Sequence, residues 1–221
     1  AHPRIKGSIG FPDKYKDRDF FRSEHFLGAA WKAMPADLSR DTLGWRALDL
    51  LDDMENWGAR KQLLGEADLF RMEPDYETYA HMNINYLKLD ETPRFGEGWK
   101  PVLDVLRGGR FFTTTGEVLI PEFTVGGKSS GESHDPIGDE PVMLEATLEW
   151  TFPMAFAEVV SGDGRSVFRH RIDLADTKEF GTRKLRIPIH LKDRTWARFE
   201  AWDVAGDGAF TQPVRIAAEK P

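Results

Sequence analysis

The segment between Ser39 and Trp57 carries the clearest helical pattern in the chain. Ser39 or Asp41 can cap the free amides of a first turn, and Gly58 supplies a stop signal. Between these ends, apolar side chains recur at three- and four-residue spacing and share one face: Leu43, Ala47, Leu50, Leu51, Met54 and Trp57. The pattern predicts a helix with this face buried against the rest of the protein.

Shorter patterns of both kinds surround this helix up to about Ile120. A second apolar stripe predicts a helix from Glu97 to Arg107, which Gly108 and Gly109 would end. Runs of apolar and β-branched residues predict short strands at positions 62–64, 84–89, 110–114 and 117–120. Because helix and strand patterns alternate, residues 1–120 are predicted to form an α/β domain.

From Pro121 onward, strand-like runs follow one another without a helical period. They are rich in aromatic and β-branched residues and are separated by glycine and aspartate: 142–151, 155–160, 166–174, 184–191, 195–203 and 211–216. Segments 161–164 and 205–208 have the residues of tight hairpins. In the run 196–203, larger side chains alternate with Ala197, Phe199 and Ala201, which is typical of a strand with one buried face. Residues 121–221 are therefore predicted to form an antiparallel, immunoglobulin-like β-sandwich.

The composition narrows the possible partners and sites. The chain has 37 acidic and 30 basic residues, interspersed, and a net charge of −7, which disfavours nucleic acid as a partner. It has no cysteine, so any metal must be held by His, Asp, Glu, Asn or water. No apolar run is long enough to span a bilayer, and the opening residues are too charged for a signal peptide. We therefore expect a soluble chain without a membrane partner, while export of a parent protein stays open.

Three places carry residues that could do chemistry. Glu66 and Asp68, two positions apart at a predicted strand end, face the same side and could bind a divalent cation or act as acid and base. The alternative is that both are surface charges. His81 shares one strand face with Asn83 and Asn85, where either a functional site or a structural hydrogen-bond network would explain the pattern. His2 precedes a proline that holds it extended, which could aim it into a cleft, or it belongs to a frayed terminus.

Other polar and aromatic features have ordinary structural explanations beside functional ones. The run Thr113-Thr114-Thr115-Gly116-Glu117 could provide hydroxyls and a carboxylate, or it could form a turn between strands. Three tryptophans could stack on sugar rings if they were exposed, although at least one is expected in the core: Trp150, Trp196 and Trp202. The standard motifs of serine hydrolases, kinases and zincins are absent from the sequence.

Four segments resemble bacterial proteins of the polymerase-and-histidinol-phosphatase (PHP) superfamily. They are the opening Ala-His-Pro-Arg-Ile-Lys-Gly-Ser, the Asn-Ile-Asn-Tyr at 83–86, the Gly-Arg-Phe-Phe-Thr-Thr-Thr-Gly-Glu at 109–117 and the closing segment 196–213. The similarity covers all 221 residues and matches the carboxy-terminal portion of such proteins. It implies the last part of a metal-binding α/β barrel in residues 1–120, followed by a β-sandwich.

The resemblance also implies an activity. Such proteins hydrolyse a phosphoester or related ester of a small molecule with divalent cations, such as Zn, Mn or Fe, at the mouth of the barrel. His2 and Asp68 are similar to metal ligands of the family, and Glu66 and His81 would lie near the metals as catalytic residues. The resemblance therefore implies a metal-dependent hydrolase.

Two departures keep a second hypothesis open. Position 70 is Phe where the family has His, and the early His-x-His motif is absent because the chain begins at Ala1, without an initiator methionine. We expect the chain to be a fragment, with a missing amino-terminal segment or a second chain completing the barrel. Otherwise it is a non-catalytic protein, either a degenerate barrel or a sandwich module that binds carbohydrate or protein.

Overall fold

Strands dominate the structure. The computed structural model describes residues 15–32, 47–66 and 83–218. In these residues the helices are α1 (Asp19–Arg22), α2 (Ala47–Asn56) and α3 (Lys100–Gly108). The strands are β1 (Gly28–Lys32), β2 (Gln62–Glu66), β3 (Ile84–Leu87), β4 (Phe111–Thr114), β5 (Val118–Val125), β6 (Ser133–His134), β7 (Val142–Trp150), β8 (Met154–Gly162), β9 (Val167–Asp173), β10 (Gly181–Ile189), β11 (Trp196–Asp203), β12 (Gly208–Thr211) and β13 (Val214–Ile216).

Two antiparallel sheets pack face to face as a β-sandwich. The large sheet has the order β3-β4-β12-β11-β8-β9. Strand β13 pairs with the part of β11 that β12 does not reach, and the short β6 pairs with β13. The small sheet has the order β5-β7-β10. Apolar side chains from both sheets fill the space between them, among them Val118, Leu144, Leu148, Phe199 and Val214. The β-sandwich predicted from the strand runs of the second half is therefore confirmed.

The predicted fold class, a partial α/β barrel followed by a sandwich, is wrong. Strands make up 44% of the described residues and helices 13%, and these residues contain no barrel portion. Strands β3 and β4 pair antiparallel, with Ile84 opposite Thr114 and Leu87 opposite Phe111. Helix α3 therefore links two antiparallel neighbours, whereas the strands of an α/β barrel are parallel.

The large sheet includes strands from residues 1–120, the segment that was predicted to be an α/β domain. Both β3 and β4 belong to it, and β5 runs through Pro121, where the sandwich was predicted to begin. Residues on both sides of Pro121 pair with β7, since Val118 lies opposite Trp150 and Val125 opposite Leu144. The periodicity of a short strand does not say which strand it pairs with, so this membership was not readable from the sequence.

One βαβ unit lies against this sandwich. Strands β1 and β2 are parallel, with Gly28 opposite Gln62 and Lys32 opposite Glu66, and α2 lies between them in the chain. Helix α2 confirms the carboxy-terminal part of the predicted helix, with Leu50, Leu51 and Met54 fully buried. Residues 33–46, where that helix was predicted to begin, lie outside the described residues.

Helix α3 covers the protein only weakly. It forms where the second helix was predicted and ends at Gly108. The next residue, Gly109, has a left-handed backbone and donates its N–H to the Leu106 carbonyl. Of its side chains only Val105 is buried, whereas Leu103 on its stripe and Trp99 just before it are exposed. No helix in the described part of the chain is long and apolar enough to cross a membrane.

We expect Leu51→Ala to lower the free energy of unfolding by about 2–5 kcal/mol, because the lost side chain leaves a cavity in a closed core. Leu51 packs in a cluster with Phe21, Leu63 and Phe156, and none of its surface is exposed. Urea denaturation measures the change. Leu103→Ala, at an exposed leucine, is the control and should cost no more than about 0.5 kcal/mol. Equal losses in both variants would contradict this assignment of the core.

Candidate functional site

Strand β2 ends at Glu66, which lies at the carboxyl end of the parallel pair β1–β2. Ligands of open α/β sheets bind outside the carboxyl ends of parallel strands. The Oε1 atom of Glu66 is buried and has no hydrogen-bond partner in the structure as described. Of the four predicted site residues, Glu66 alone falls in the described part of the chain, and His2, Asp68 and His81 lie outside it. The described residues therefore contain no two predicted site residues whose distance could be compared.

Two side-chain amides hold β2 against the large sheet. Asn85 of β3 donates from Nδ2 to the Gly65 carbonyl at 2.9 Å, and its Oδ1 accepts from the Gly65 N–H at 2.8 Å. Gln212 makes the same pair of bonds with Leu63, at 3.0 Å to the carbonyl and 3.2 Å from the N–H. We call Asn85 and Gln212 the amide clamp, because each replaces the backbone of a neighbouring strand. For Asn85, the structural explanation of the predicted polar face is therefore confirmed.

The amide clamp works at close range because Gly65 has no side chain. A Cβ atom at this position would lie 2.7 Å from Cγ2 of Thr113 and 2.8 Å from Cβ of Asn83, closer than side chains pack. Thr113 also donates from Oγ1 to Oδ1 of Asn85 at 2.9 Å, which fixes the orientation of that amide. The position of Glu66 therefore depends on the small size of its neighbour and on a side chain from β4.

The threonine run ends β4 and continues into the turn before β5, in agreement with its structural explanation. Thr114 donates from Oγ1 to the Val118 carbonyl, and the same oxygen accepts the Gly116 N–H at 2.9 Å. Thr115 accepts the Gly208 N–H at 3.0 Å, which ties this turn to the β11–β12 hairpin. These hydroxyls are used in structural bonds.

A network of buried charges fastens α2 to the outer face of the large sheet. Arg198 is fully buried and binds Asp52 of α2 with two hydrogen bonds, from Nε to Oδ1 at 2.6 Å and from Nη2 to Oδ2 at 3.1 Å. Its Nη1 donates to Glu200. Arg169 bridges the next carboxylates, at 2.9 Å to Asp52 and 3.1 Å to Glu158. With two peripheral members, the buried ionic network consists of Asp49, Asp52, Glu158, Arg169, Arg171, Arg198 and Glu200.

The network has four carboxylates and three guanidinium groups, so one negative charge is not balanced inside it. Asp49 lies at the edge of the network. Burial, together with the neighbouring Asp52 carboxylate, raises the pKa of Asp49 to about 7. Burial alone would raise the pKa of Glu200, but Arg198 and Arg169 outweigh it and lower that pKa. Glu200 therefore stays charged in the interior, whereas Asp49 changes its protonation state near neutral pH.

Sequence reasoning missed this network because it gave β11 one buried face. Every residue of β11 is buried, since α2 covers the face that carries Arg198 and Glu200. A usable signal was present in the charges at alternate positions of an otherwise apolar strand. The same signal could not identify helix α2 as the partner, because Asp52 is 146 residues from Arg198 in the chain.

The three tryptophans that could have stacked on sugars are buried, and each indole N–H is used inside the protein. Trp150 donates to the Lys178 carbonyl at 2.6 Å, Trp196 to Asn56 at 2.8 Å and Trp202 to Glu200 at 3.3 Å. Within residues 15–32, 47–66 and 83–218, no three His, Asp or Glu side chains are grouped so that they could hold a metal ion.

Comparison with known proteins adds no assignment. No protein-family model matches the chain, and no curated protein matches it at a significant level.

We expect Gly65→Ala to destabilise the protein by about 1–3 kcal/mol, because the added methyl group forces β2 away from Thr113 and Asn83. Thermal or urea unfolding measures the loss. Gly138→Ala is the matched control, since a Cβ atom there meets nothing within 4 Å and its backbone is not left-handed. A Gly65→Ala protein as stable as this control would show that β2 does not approach the sheet closely.

We expect Asp49→Asn to change the pH dependence of stability. The pKa of Asp49 rises from 3.8 to about 7 on folding, so the wild-type protein loses stability as pH rises across this window. The variant lacks this loss, and its advantage over wild type should grow up to about pH 7 and then level off. Urea unfolding at several pH values measures the difference. Asp135→Asn, at an exposed carboxylate, should follow the wild-type profile.

Proposed function

We propose that this chain is part of a metal-dependent hydrolase acting on a phosphoester or related ester, with Glu66 in its site. One observation carries the proposal. The amide clamp fixes β2 so that its last residue presents a buried carboxylate oxygen without a partner in the described residues, at the carboxyl end of parallel strands. A buried carboxylate oxygen without a partner is costly unless a ligand or a proton satisfies it.

The segments that resemble the PHP superfamily support the same place in the fold. Residues 83–86 end in β3, 109–117 contain β4, and 196–213 contain β11 and β12, and these four strands are neighbours in the large sheet. One polar residue from each of these three segments contacts β2, directly or through another residue: Asn85, Thr113 and Gln212. The residues that carry the resemblance therefore support the strand that ends at Glu66.

The described residues fit one ligand of a metal centre. Hard divalent cations take carboxylate oxygens, and Glu66 offers one that is otherwise unsatisfied. The resemblance adds His2 and Asp68 as ligands and His81 as a catalytic residue, all outside the described residues. A bound divalent cation would supply an activated water and would stabilise charge on the leaving group. Glu66 itself can hold a proton at Oε1 or bind the cation there.

The experiment compares wild type with Glu66→Gln. Each protein is loaded with Zn, Mn or Fe, dialysed and assayed for metal by elemental analysis and for hydrolysis of 4-nitrophenyl phosphate and bis(4-nitrophenyl) phosphate. The substitution keeps the size of the side chain but removes its charge, so we expect kcat/KM to fall about 100-fold or more and retained metal to decrease. Glu149→Gln, at an exposed glutamate of β7, should retain wild-type metal and activity.

Unfolding midpoints of the three proteins separate loss of function from loss of structure. A wild-type protein that retains no metal and hydrolyses neither ester with any of the three metals would contradict the proposal. Wild-type activity in Glu66→Gln would contradict the role of Glu66. The second candidate, a non-catalytic binding module, is favoured by a cleft on the opposite face of β3 and β4.

A further inference from the structure

An open cleft of about 580 Å³ lies between the two sheets, where β3 and β4 of the large sheet face β5 and β7 of the small one. Its volume is within the range of small-molecule sites, roughly 300–1,000 Å³. Tyr86 and Phe112 line it, whereas Asn85 and Thr113 on the same strands bond toward β2. Because strand side chains alternate between faces, this cleft is a separate site from the one at Glu66.

One wall of the cleft is aromatic. Tyr86 and Phe112 lie directly opposite each other on β3 and β4, and their rings stack with centroids 4.9 Å apart and an angle of 5° between planes. Tyr86 is 43% exposed, so the stacked pair presents aromatic surface to solvent at the cleft. Such a surface suits the C–H face of a sugar ring, which packs flat against an aromatic side chain.

Three basic side chains line the cleft beside this aromatic wall: Lys88, Arg110 and Lys184. The Lys88 N–H donates to the Arg110 carbonyl at 2.9 Å, which places the two residues side by side at the cleft. Arg110 is partly buried and makes no direct ion pair with a carboxylate of the described ranges, but it faces Asp104 at longer range, where it helps Lys100 to lower the pKa of that carboxyl. Lys184 lines the far side and is 3.7 Å from the exposed Glu122. A partly buried guanidinium that no carboxylate binds directly can bind an anionic group.

Hydroxyl and carboxylate groups complete the lining. Ser129 and Ser130 come from the loop after β5, and Thr147 and Glu145 come from β7. Strand β5 has an irregular register between Leu119 and Glu122 on the same side. Some of these groups also bond one another, since Thr147 donates to Glu122 and Lys88 donates to Ser129. Exposed donors and acceptors of this kind can bind the hydroxyl groups at the edge of a sugar ring.

We propose that this cleft binds an acidic sugar, with the ring against Tyr86 and the carboxylate or phosphate at Arg110 and Lys88. The aromatic wall accounts for the ring, the Arg110 and Lys88 cations for the anion, and the hydroxyl-lined edge for the sugar hydroxyls. The proposal does not depend on the hydrolase, because no residue of this cleft belongs to the site at Glu66.

Isothermal titration with four probes tests the proposal: glucuronate, glucose 6-phosphate, glucose and inorganic phosphate. We expect at least one of the two acidic sugars to bind at least tenfold more tightly than glucose or phosphate, because only it uses both the wall and the cations. The two acidic sugars separate a carboxylate ligand from a phosphate ligand. Equal binding of inorganic phosphate would show an anion site only, and absence of binding by both acidic sugars would overturn the proposal.

Variants assign the contacts. Arg110→Gln should weaken binding of the acidic sugar by about tenfold or more, because a hydrogen bond to a charged group is lost. Tyr86→Leu should weaken the same sugar while leaving the response to inorganic phosphate unchanged. Arg165→Gln, at an exposed arginine of the β8–β9 hairpin, is the control and should bind as wild type does. Wild-type affinity in both cleft variants would overturn the assignment, and Glu66→Gln should not change sugar binding whatever it does to hydrolysis.

Discussion

The two hydrogen bonds between Arg198 and Asp52 fix the arrangement of this protein outside the sandwich core. They join the middle of the large sheet to helix α2, and both partners are buried. A buried ion pair adds little net stability compared with apolar packing, but breaking one partner leaves an uncompensated charge and costs about 3–5 kcal/mol. The helix therefore has one favourable position on the sheet. The bonds that Arg215 donates to Glu55 and Trp196 donates to Asn56 hold the same helix toward its carboxyl end.

A second set of polar contacts, the amide clamp, positions the candidate site relative to the large sheet. Helix α2 leads into β2, and the amide clamp then binds the backbone of β2 at Leu63 and Gly65. Amide side chains match the donor and acceptor of a peptide group only in one register, so β2 cannot slide without leaving buried groups unpaired. Glu66 is the next residue along. The placement of one carboxylate thus follows from polar contacts that begin in β11, β3 and the segment after β12, far from it in the sequence.

This dependence explains which parts of the structure could be predicted. Strands of the second half were found because their glycine- and aspartate-rich hairpins depend on neighbouring residues, and the buried face of α2 was found because its spacing is local. The direction of β3 against β4, the cover over β11 and the role of Gln212 depend on partners distant in the chain. Glu66 was proposed as a site residue from its spacing and stays a prediction, while the purpose of Asn85 stayed open until its partner at Gly65 was known. Local sequence patterns thus identify candidate residues, but the role of each residue depends on the strand or helix that the fold places next to it.

Strands β3 and β4 give the two candidate sites a common support. Asn85 and Thr113 lie on one face and hold β2, while their chain neighbours Tyr86 and Phe112 stack on the other face at the cleft. Neighbours in the chain thus serve different sites, because side chains alternate across a strand. A substitution on one face leaves the contacts of the other unchanged as long as the backbone pairing of β3 with β4 survives. Each site can therefore be changed by substitution without changing the other. Both sites require the backbone hydrogen bonds that pair residues Ile84–Leu87 of β3 with β4.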